Sequence, residues 1–315
     1  MGLRTVFFGT PEFAVPALDA LAGSPYRPML AVTRPDSPKG RGYRLSACPV
    51  KERAMGLGID VESPEALKGN AGFSRRIAVL RPDLIVVVAY GNILPTEVLA
   101  APRLGCVNIH GSLLPQYRGA APVHRAILAG EEETGVSLMY LSEGLDEGDV
   151  IGRSRLPIGD MDTGRLQKAL SETGASLLME YMPLIEKGEA PRFPQDHFRA
   201  TYAPMVRKEE GHIDFSAGTG RVLRLVRAMT PAPGAYAMKG GQAWKVRKAS
   251  GLPLEGRLPG KAVPGEIIKV SDDGIAVATA DGAVLLEEIQ TPGKRPMKAA
   301  DYLRGNSVDG AEGFS

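Results

Sequence analysis

Cysteine is scarce in this chain: among 315 residues there are two, Cys48 and Cys106, and neither belongs to a CxxC pair. Two thiols cannot build a disulfide framework, so a reducing, cytoplasmic setting is expected. Long apolar runs are also lacking. None approaches the ~18 residues of a membrane span. Met1 to Phe8 enters a strand-like run without the apolar segment and small-residue cleavage site of a secretory signal, so neither insertion nor export is expected. No charge sign dominates, with 38 Lys+Arg against 36 Asp+Glu and a net charge of +2, so the whole chain is not a polycation. Several chemistry-bearing motifs are missing too. Gly9-Thr10-Pro11-Glu12-Phe13 is no GxGxxG, which withholds support from a dinucleotide site. GxxxxGK[ST] and GxSxG do not occur, and no HxxxH or ligand-spaced carboxylate cluster suggests a metal.

What is present begins with length, since 315 residues exceed what one hydrophobic core usually serves, and two domains are expected. Hydrophobic residues make up 43% and charged residues 23%, which leaves no room for wholesale disorder. The first half alternates strand and helix patterns. Thr5 to Phe8, Met29 to Thr33, Leu84 to Ala89 and Cys106 to His110 read as strands. The run Leu84-Ile85-Val86-Val87-Val88-Ala89 has no polar alternation, as in a parallel sheet covered on both faces. Helical spacing covers 13–21, 49–57, 75–80, 123–129 and 166–186, while 34–45 reads as a loop rich in Pro, Gly and Arg. Such alternation predicts a Rossmann-like doubly wound α/β domain with a mostly parallel sheet.

The register changes after residue 186. Polar sequence with Pro191, Pro194 and Pro204 marks an interdomain linker, set at 189–206 between domains at 1–188 and 207–315. Beyond it, strand runs at 243–246, 266–270, 274–279 and 284–289 join one helix at 221–229. Four or five short strands with one helix predict a small OB-like β-barrel. Charge separates the halves. Residues 1–204 hold 22 basic against 23 acidic residues, and 205–315 hold 16 against 13. Within 220–262, nine basic residues face one acid, Glu255. On an OB-like barrel that stretch reads as a surface for a phosphate backbone, against the alternative of a solvated basic face.

The chemistry-bearing residues lie in the first half. Asn108 and His110 sit two apart at the end of an apolar strand, so their side chains point the same way. In open α/β sheets, ligands bind outside the carboxyl ends of the strands. A paired amide and imidazole there can hold a carbonyl oxygen as it becomes an oxyanion. The loop Gly144-Leu145-Asp146-Glu147-Gly148-Asp149 follows another strand, and its carboxylate can orient the imidazole or take a proton through water. Taken singly, each has a plain alternative: a structural hydrogen-bonding pair and a turn aspartate.

Together these segments carry a resemblance. Asn108-Ile109-His110-Gly111-Ser112-Leu113-Leu114-Pro115, then Arg118-Gly119, then Gly144-Leu145-Asp146, is similar to the signature of folate-dependent formyltransferases. Gly9 to Phe13, Val88 to Gly91 and Gly119 to Pro122 narrow the likeness to the branch acting on initiator methionyl-tRNA. The resemblance implies transfer of a formyl group from 10-formyltetrahydrofolate to the methionine α-amino group, for translation initiation, without a metal. It implies a catalytic trio of Asn108, His110 and Asp146. It implies a folate site at Tyr90, Gly91, Ile93, Leu94 and Leu99, at Ser112, Leu113, Leu114 and Pro115, and at Ser142, Glu143, Gly144 and Leu145. Lys39, Arg41 and Arg44 on the 34–45 loop resemble a segment that reaches the tRNA acceptor end. With the basic stretch, Lys245, Arg247 and Lys248 complete the expected tRNA contacts. A monomer is expected. Two other readings stay open: a formyltransferase for an amino-sugar nucleotide or small amine, disfavoured by the basic domain, and a tRNA-binding protein without activity, disfavoured by the intact trio.

Overall fold

The computed structural model describes residues 2–39, 44–252, 262–306, 308 and 313–315. Its elements divide into two compact units, residues 1–122, 133–157 and 167–203, and residues 123–132, 158–166 and 204–315.

The first unit is built on β1 (Thr5–Gly9), α1 (Val15–Ala22), β2 (Pro28–Val32), the short β3 (Ser37–Lys39) and β4 (Arg44–Ser46), α2 (Pro49–Gly56), β5 (Asp60–Glu62), α3 (Ala71–Leu80), β6 (Leu84–Val88), α4 (Thr96–Leu99), β7 (Cys106–His110) and, after α5 (Pro122–Ala129), β8 (Glu133–Tyr140) and β9 (Val150–Pro157). A long α6 (Thr163–Lys187) follows. Seven strands form one sheet in the order β5-β2-β1-β6-β7-β8-β9. The five from β5 to β7 pair in parallel, and β8 and β9 add antiparallel. Every residue of β1, β6 and β7 is buried, which is why their sequences lack polar alternation. Val6, Phe8, Ile85, Val87 and Cys106 join Phe73 and Ile77 of α3 in one cluster. Ile109 points to the opposite face, toward α6, where Gly174 leaves room: a Cβ there would lie 2.6 Å from Ile109. The doubly wound, mostly parallel α/β expectation holds for this unit.

Three readings need correction. The 34–45 segment is not all loop, because β3 and β4 pair antiparallel from Ser37↔Ser46 to Lys39↔Arg44. The third helix begins at Ala71, not at residue 75, with the Asn70 side chain accepting from the Phe73 amide at 3.0 Å. Strand β9, absent from the sequence reading, is the sheet's last strand, and its outward arginines Arg153 and Arg155 masked the pattern.

The second unit contains α7 (Thr219–Met229), β10 (Ala235–Lys239), β11 (Gln242–Gly251), β12 (Ile267–Ser271), β13 (Gly274–Ala278), β14 (Ala283–Gln290), β15 (Met297–Lys298) and α8 (Ala299–Leu303). Its sheet runs β10-β11-β14-β13-β12, with β15 on β14, and all these pairs are antiparallel. Strands β10 and β15 were not read from the sequence. Val222, Val226 and Met229 of α7 pack with Trp244, Val246, Leu286 and Ile289 in its core. Among the described residues, no helix is long and apolar enough to cross a membrane.

Candidate active site

The site residues of the first unit gather beyond the carboxyl end of β7. Asn108 and His110 project from the same side of that strand and are 8% and 6% exposed. Among the described residues, the Asn108 carboxamide has no hydrogen-bond partner. His110 is held at both ring nitrogens: Nε2 lies 2.9 Å from the Tyr117 carbonyl, and Nδ1 lies 3.5 Å from Asp146 Oδ2. Both neighbours are oxygen acceptors, so each ring nitrogen faces a group that an N–H can meet. Asp146 Oδ2 also accepts from the Gly119 amide at 2.8 Å. Asp146 itself has φ 52°, a left-handed conformation that aspartate tolerates better than most residues, and this aims its carboxylate back at β7. Of the three predicted residues, His110 and Asp146 meet, coming from two segments, and Asn108 lies two residues before His110 on the same side of β7.

What holds the Asp146 loop is a pair that the sequence reading did not count as site residues. Arg118 is 1% exposed, and its Nε and Nη2 donate to Gln195 Oε1 at 3.2 and 2.8 Å. Gln195 in turn donates through Nε2 to the carbonyls of Asp146 and Gly148 at 2.8 and 2.7 Å. One buried amide thereby satisfies a buried guanidinium and two loop carbonyls. Thr201 Oγ1 accepts from the Tyr117 amide at 2.8 Å, which steadies the residue that faces His110. The stretch read as linker is thus partly a wall of this site.

The expected folate residues fall into two groups. Tyr90 and Leu94 are buried, and Leu99 packs against the same α3 cluster, so these three serve the core. Leu114 packs with Met139 and Val150. Ser137 of β8 anchors the loop after β7, donating to the Ser112 carbonyl at 2.7 Å and accepting from the Leu114 amide at 3.0 Å. Gly135 lets Leu113 lie close, since a Cβ there would stand 2.6 Å from its Cδ2. By contrast Ile93 is 83% exposed and Leu145 54%, and Gly91, Ser142 and Glu143 are exposed as well. Thr96 Oγ1 donates to Glu143 at 3.4 Å, so the segments carrying Ile93 and Leu145 are neighbours.

The expected tRNA residues are placed unevenly. Arg41 and the side chains of Lys39 and Arg44 lie outside the described residues. In the second unit, β11 turns Trp244 and Val246 inward, leaving Lys245 and Arg247 on the other face. Lys245 Nζ donates to the Pro233 carbonyl at 2.9 Å, and Arg247 donates to the Pro231 carbonyl and to Gln290 Oε1 at 2.5 and 2.6 Å. Burial first, then the charges of Arg247 and Lys208, hold the Lys245 ammonium below the usual lysine range. Lys248 is exposed and pairs with Glu287 at 2.5 Å.

Fold and site together define an α/β enzyme equipped to transfer an acyl group. The chain belongs to the formyl transferase family: residues 3–182 match the Formyl transferase model and 205–307 the Formyl transferase, C-terminal domain model. It is 44% identical to the methionyl-tRNA formyltransferase of Desulforamulus reducens, across 97% of this chain and 96% of that protein. Among solved structures it resembles an N-formyltransferase from Helicobacter canadensis in complex with folinic acid and dTDP-3-aminofucose, with a TM-score of 0.67 and 17% identity over 92% of this chain and 99% of that one. It also resembles HypX from Aquifex aeolicus in complex with tetrahydrofolic acid, with a TM-score of 0.64 and 22% identity over 96% of this chain. The match covers 47% of HypX, so this chain spans about half the length of that protein. At such identities the two structures speak for the fold alone.

Proposed function

We propose that this protein transfers a formyl group from 10-formyltetrahydrofolate to the α-amino group of methionine on initiator tRNA, acting as a monomer in the cytoplasm. The observation that carries this reading is 44% identity over nearly the whole chain to a methionyl-tRNA formyltransferase, joined to an imidazole and a carboxylate in contact and a carboxamide on the same side of β7. The amino-sugar reading rests on structures at 17% identity and gains nothing from the basic stretch of the second unit.

The folate supplies the formyl group as an activated amide. Asn108, whose carboxamide is uncommitted, donates to the formyl oxygen as negative charge builds there. His110 donates to the same oxygen once its Nε2 exchanges the Tyr117 carbonyl for the formyl oxygen. Asp146, fixed by the Gly119 amide, keeps the imidazole oriented and takes a proton from the attacking amine through water. The tetrahedral intermediate then collapses, the bond from the formyl carbon to the folate nitrogen breaks, and that nitrogen leaves with the proton. Exposed Ile93 and Leu145 suit a planar ring system, and the backbone from Ser142 to Leu145 offers hydrogen bonds at its edge. Residues 1–188 carry the catalytic side chains, 189–206 link the domains and wall the site through Gln195 and Thr201, and 207–315 bind tRNA. Lys39, Arg41 and Arg44 join Lys245, Arg247 and Lys248 in contacting phosphates.

The test offers formyl-labelled folate together with a mixed pool of charged tRNA and an amino-sugar nucleotide. Label on methionyl initiator tRNA is the expected result. Label on the sugar nucleotide, with none on tRNA, overturns the reading.

A further inference from the structure

Phe198 is 101% exposed. A large apolar ring held entirely in water forgoes roughly 1.5–3 kcal/mol of burial, and Phe198 is not alone, since Phe193 and Tyr202 on the same segment are 55% and 61% exposed. The Phe198 backbone is fixed. Residues His197–Arg199 form a 3₁₀ turn capped by Asp196, whose Oδ1 accepts from the Phe198 amide at 3.0 Å, while the Arg199 amide donates to the Asp196 carbonyl at 3.1 Å.

The turn is also bracketed by the site. Three residues before Phe198, Gln195 holds the Asp146 and Gly148 carbonyls. Three residues after it, Thr201 binds the amide of Tyr117, whose carbonyl faces His110 Nε2. Its sequence neighbours His197 and Arg199 are exposed, and each carries N–H donors suited to phosphate. His197 Nδ1 lies 3.4 Å from Arg118 Nη1, a contact that leaves Nε2 as the outward donor. Tyr202, 61% exposed, adds a second aromatic ring four residues on.

An aromatic face flanked by phosphate donors, beside a catalytic centre, is the arrangement that receives an unpaired nucleotide. We infer that Phe198 is a stacking platform for a base of the single-stranded 3′ end of the tRNA, with His197 and Arg199 meeting the adjoining phosphates. The inference rests on the proposed function, because that acceptor must bring an unpaired end to Asp146.

The test compares the full-length wild type with Phe198→Ala and Phe198→Trp, using tRNA carrying 2-aminopurine at its 3′ terminus for binding and methionyl-tRNA for transfer. Wild type should quench the probe. Phe198→Ala should abolish the quench and raise KM for tRNA roughly 5- to 100-fold, with KM for folate unchanged, and Phe198→Trp should restore both. Normal transfer with an unmoved KM and quench in Phe198→Ala overturns the stacking role alone. Absence of transfer by wild type sinks the functional reading and this inference with it. A dimer dissolved by Phe198→Ala, with tRNA binding intact, would assign the ring to a second copy of the chain and overturn the inference.

Discussion

His110 Nδ1 and Asp146 Oδ2 stand 3.5 Å apart, and the same carboxylate oxygen is anchored by the Gly119 amide at 2.8 Å. The loop after β7 thus supplies both the ring's far partner, Tyr117, and the amide that fixes its near one. The carboxylate is oriented before any substrate arrives. That economy gives the site a testable energetic character: its groups are committed to one another, with Asn108 the exception.

Asn108→Leu isolates that exception. Leucine is close in volume and removes a buried polar group that has no partner among the described residues, so stability should hold or rise slightly. Turnover should fall roughly 10²–10³-fold, the scale for one lost oxyanion donor. Chemical denaturation and kcat, measured on the same sample, check both halves.

Gln195→Ala should behave differently. It strips the acceptor from Nε and Nη2 of a buried guanidinium, whose Nη1 keeps Glu147 and His197, and the donor from two loop carbonyls. A loss of about 1–3 kcal/mol in urea unfolding is expected, together with reduced turnover. Unchanged stability would mean that Glu147 and His197 satisfy the Arg118 guanidinium without Gln195.

How far the sequence foretold this site can be read from particular residues. Asn108 and His110 were legible because a two-residue period places both on one side of a strand whose buried run ends there. The wall from Gln195 to Thr201 was not. A polar, proline-rich stretch carries no burial periodicity, and Gln195 gives no local sign that it will be buried beneath Asp146. The paired strands β3 and β4, and β9, are not legible for related reasons, since arginine and proline hide short or edge strands. The charge run on β11 was legible as charge only. That Lys245 and Arg247 also tie down the Pro231 and Pro233 carbonyls depends on a return of chain that no local pattern announces.

Those ties divide the basic residues. Lys248→Gln should lower the slope of log Kd for tRNA against log salt by about one unit with little effect on stability, because Lys248 is exposed and an exposed ion pair such as that with Glu287 is worth little. Arg247→Met should affect the slope and also lower the melting temperature. Equal behaviour of the two variants would contradict this division.

Cysteine reactivity provides an independent check on the core. Burial pushes the Cys106 thiol up to about 12, while Cys48 is half-buried. At pH 8 a thiol reagent should titrate at most Cys48 in the native protein, and both cysteines in denaturant. The neutral thiol's contribution to stability is fully present below its unfolded pKa of about 8.5 and is lost as pH rises toward 12. Unfolding between pH 9 and 11 should therefore be less pH-sensitive in Cys106→Ala than in wild type.

The most direct test of the trio is a double-mutant cycle on single-turnover formyl transfer, using His110→Ala, Asp146→Asn and the pair. Each single change should slow transfer roughly 10²–10⁴-fold. Because His110 and Asp146 act as a unit in one step, the double variant should be scarcely slower than the worse single one. Effects that multiply would show that the two side chains work independently and would contradict the account.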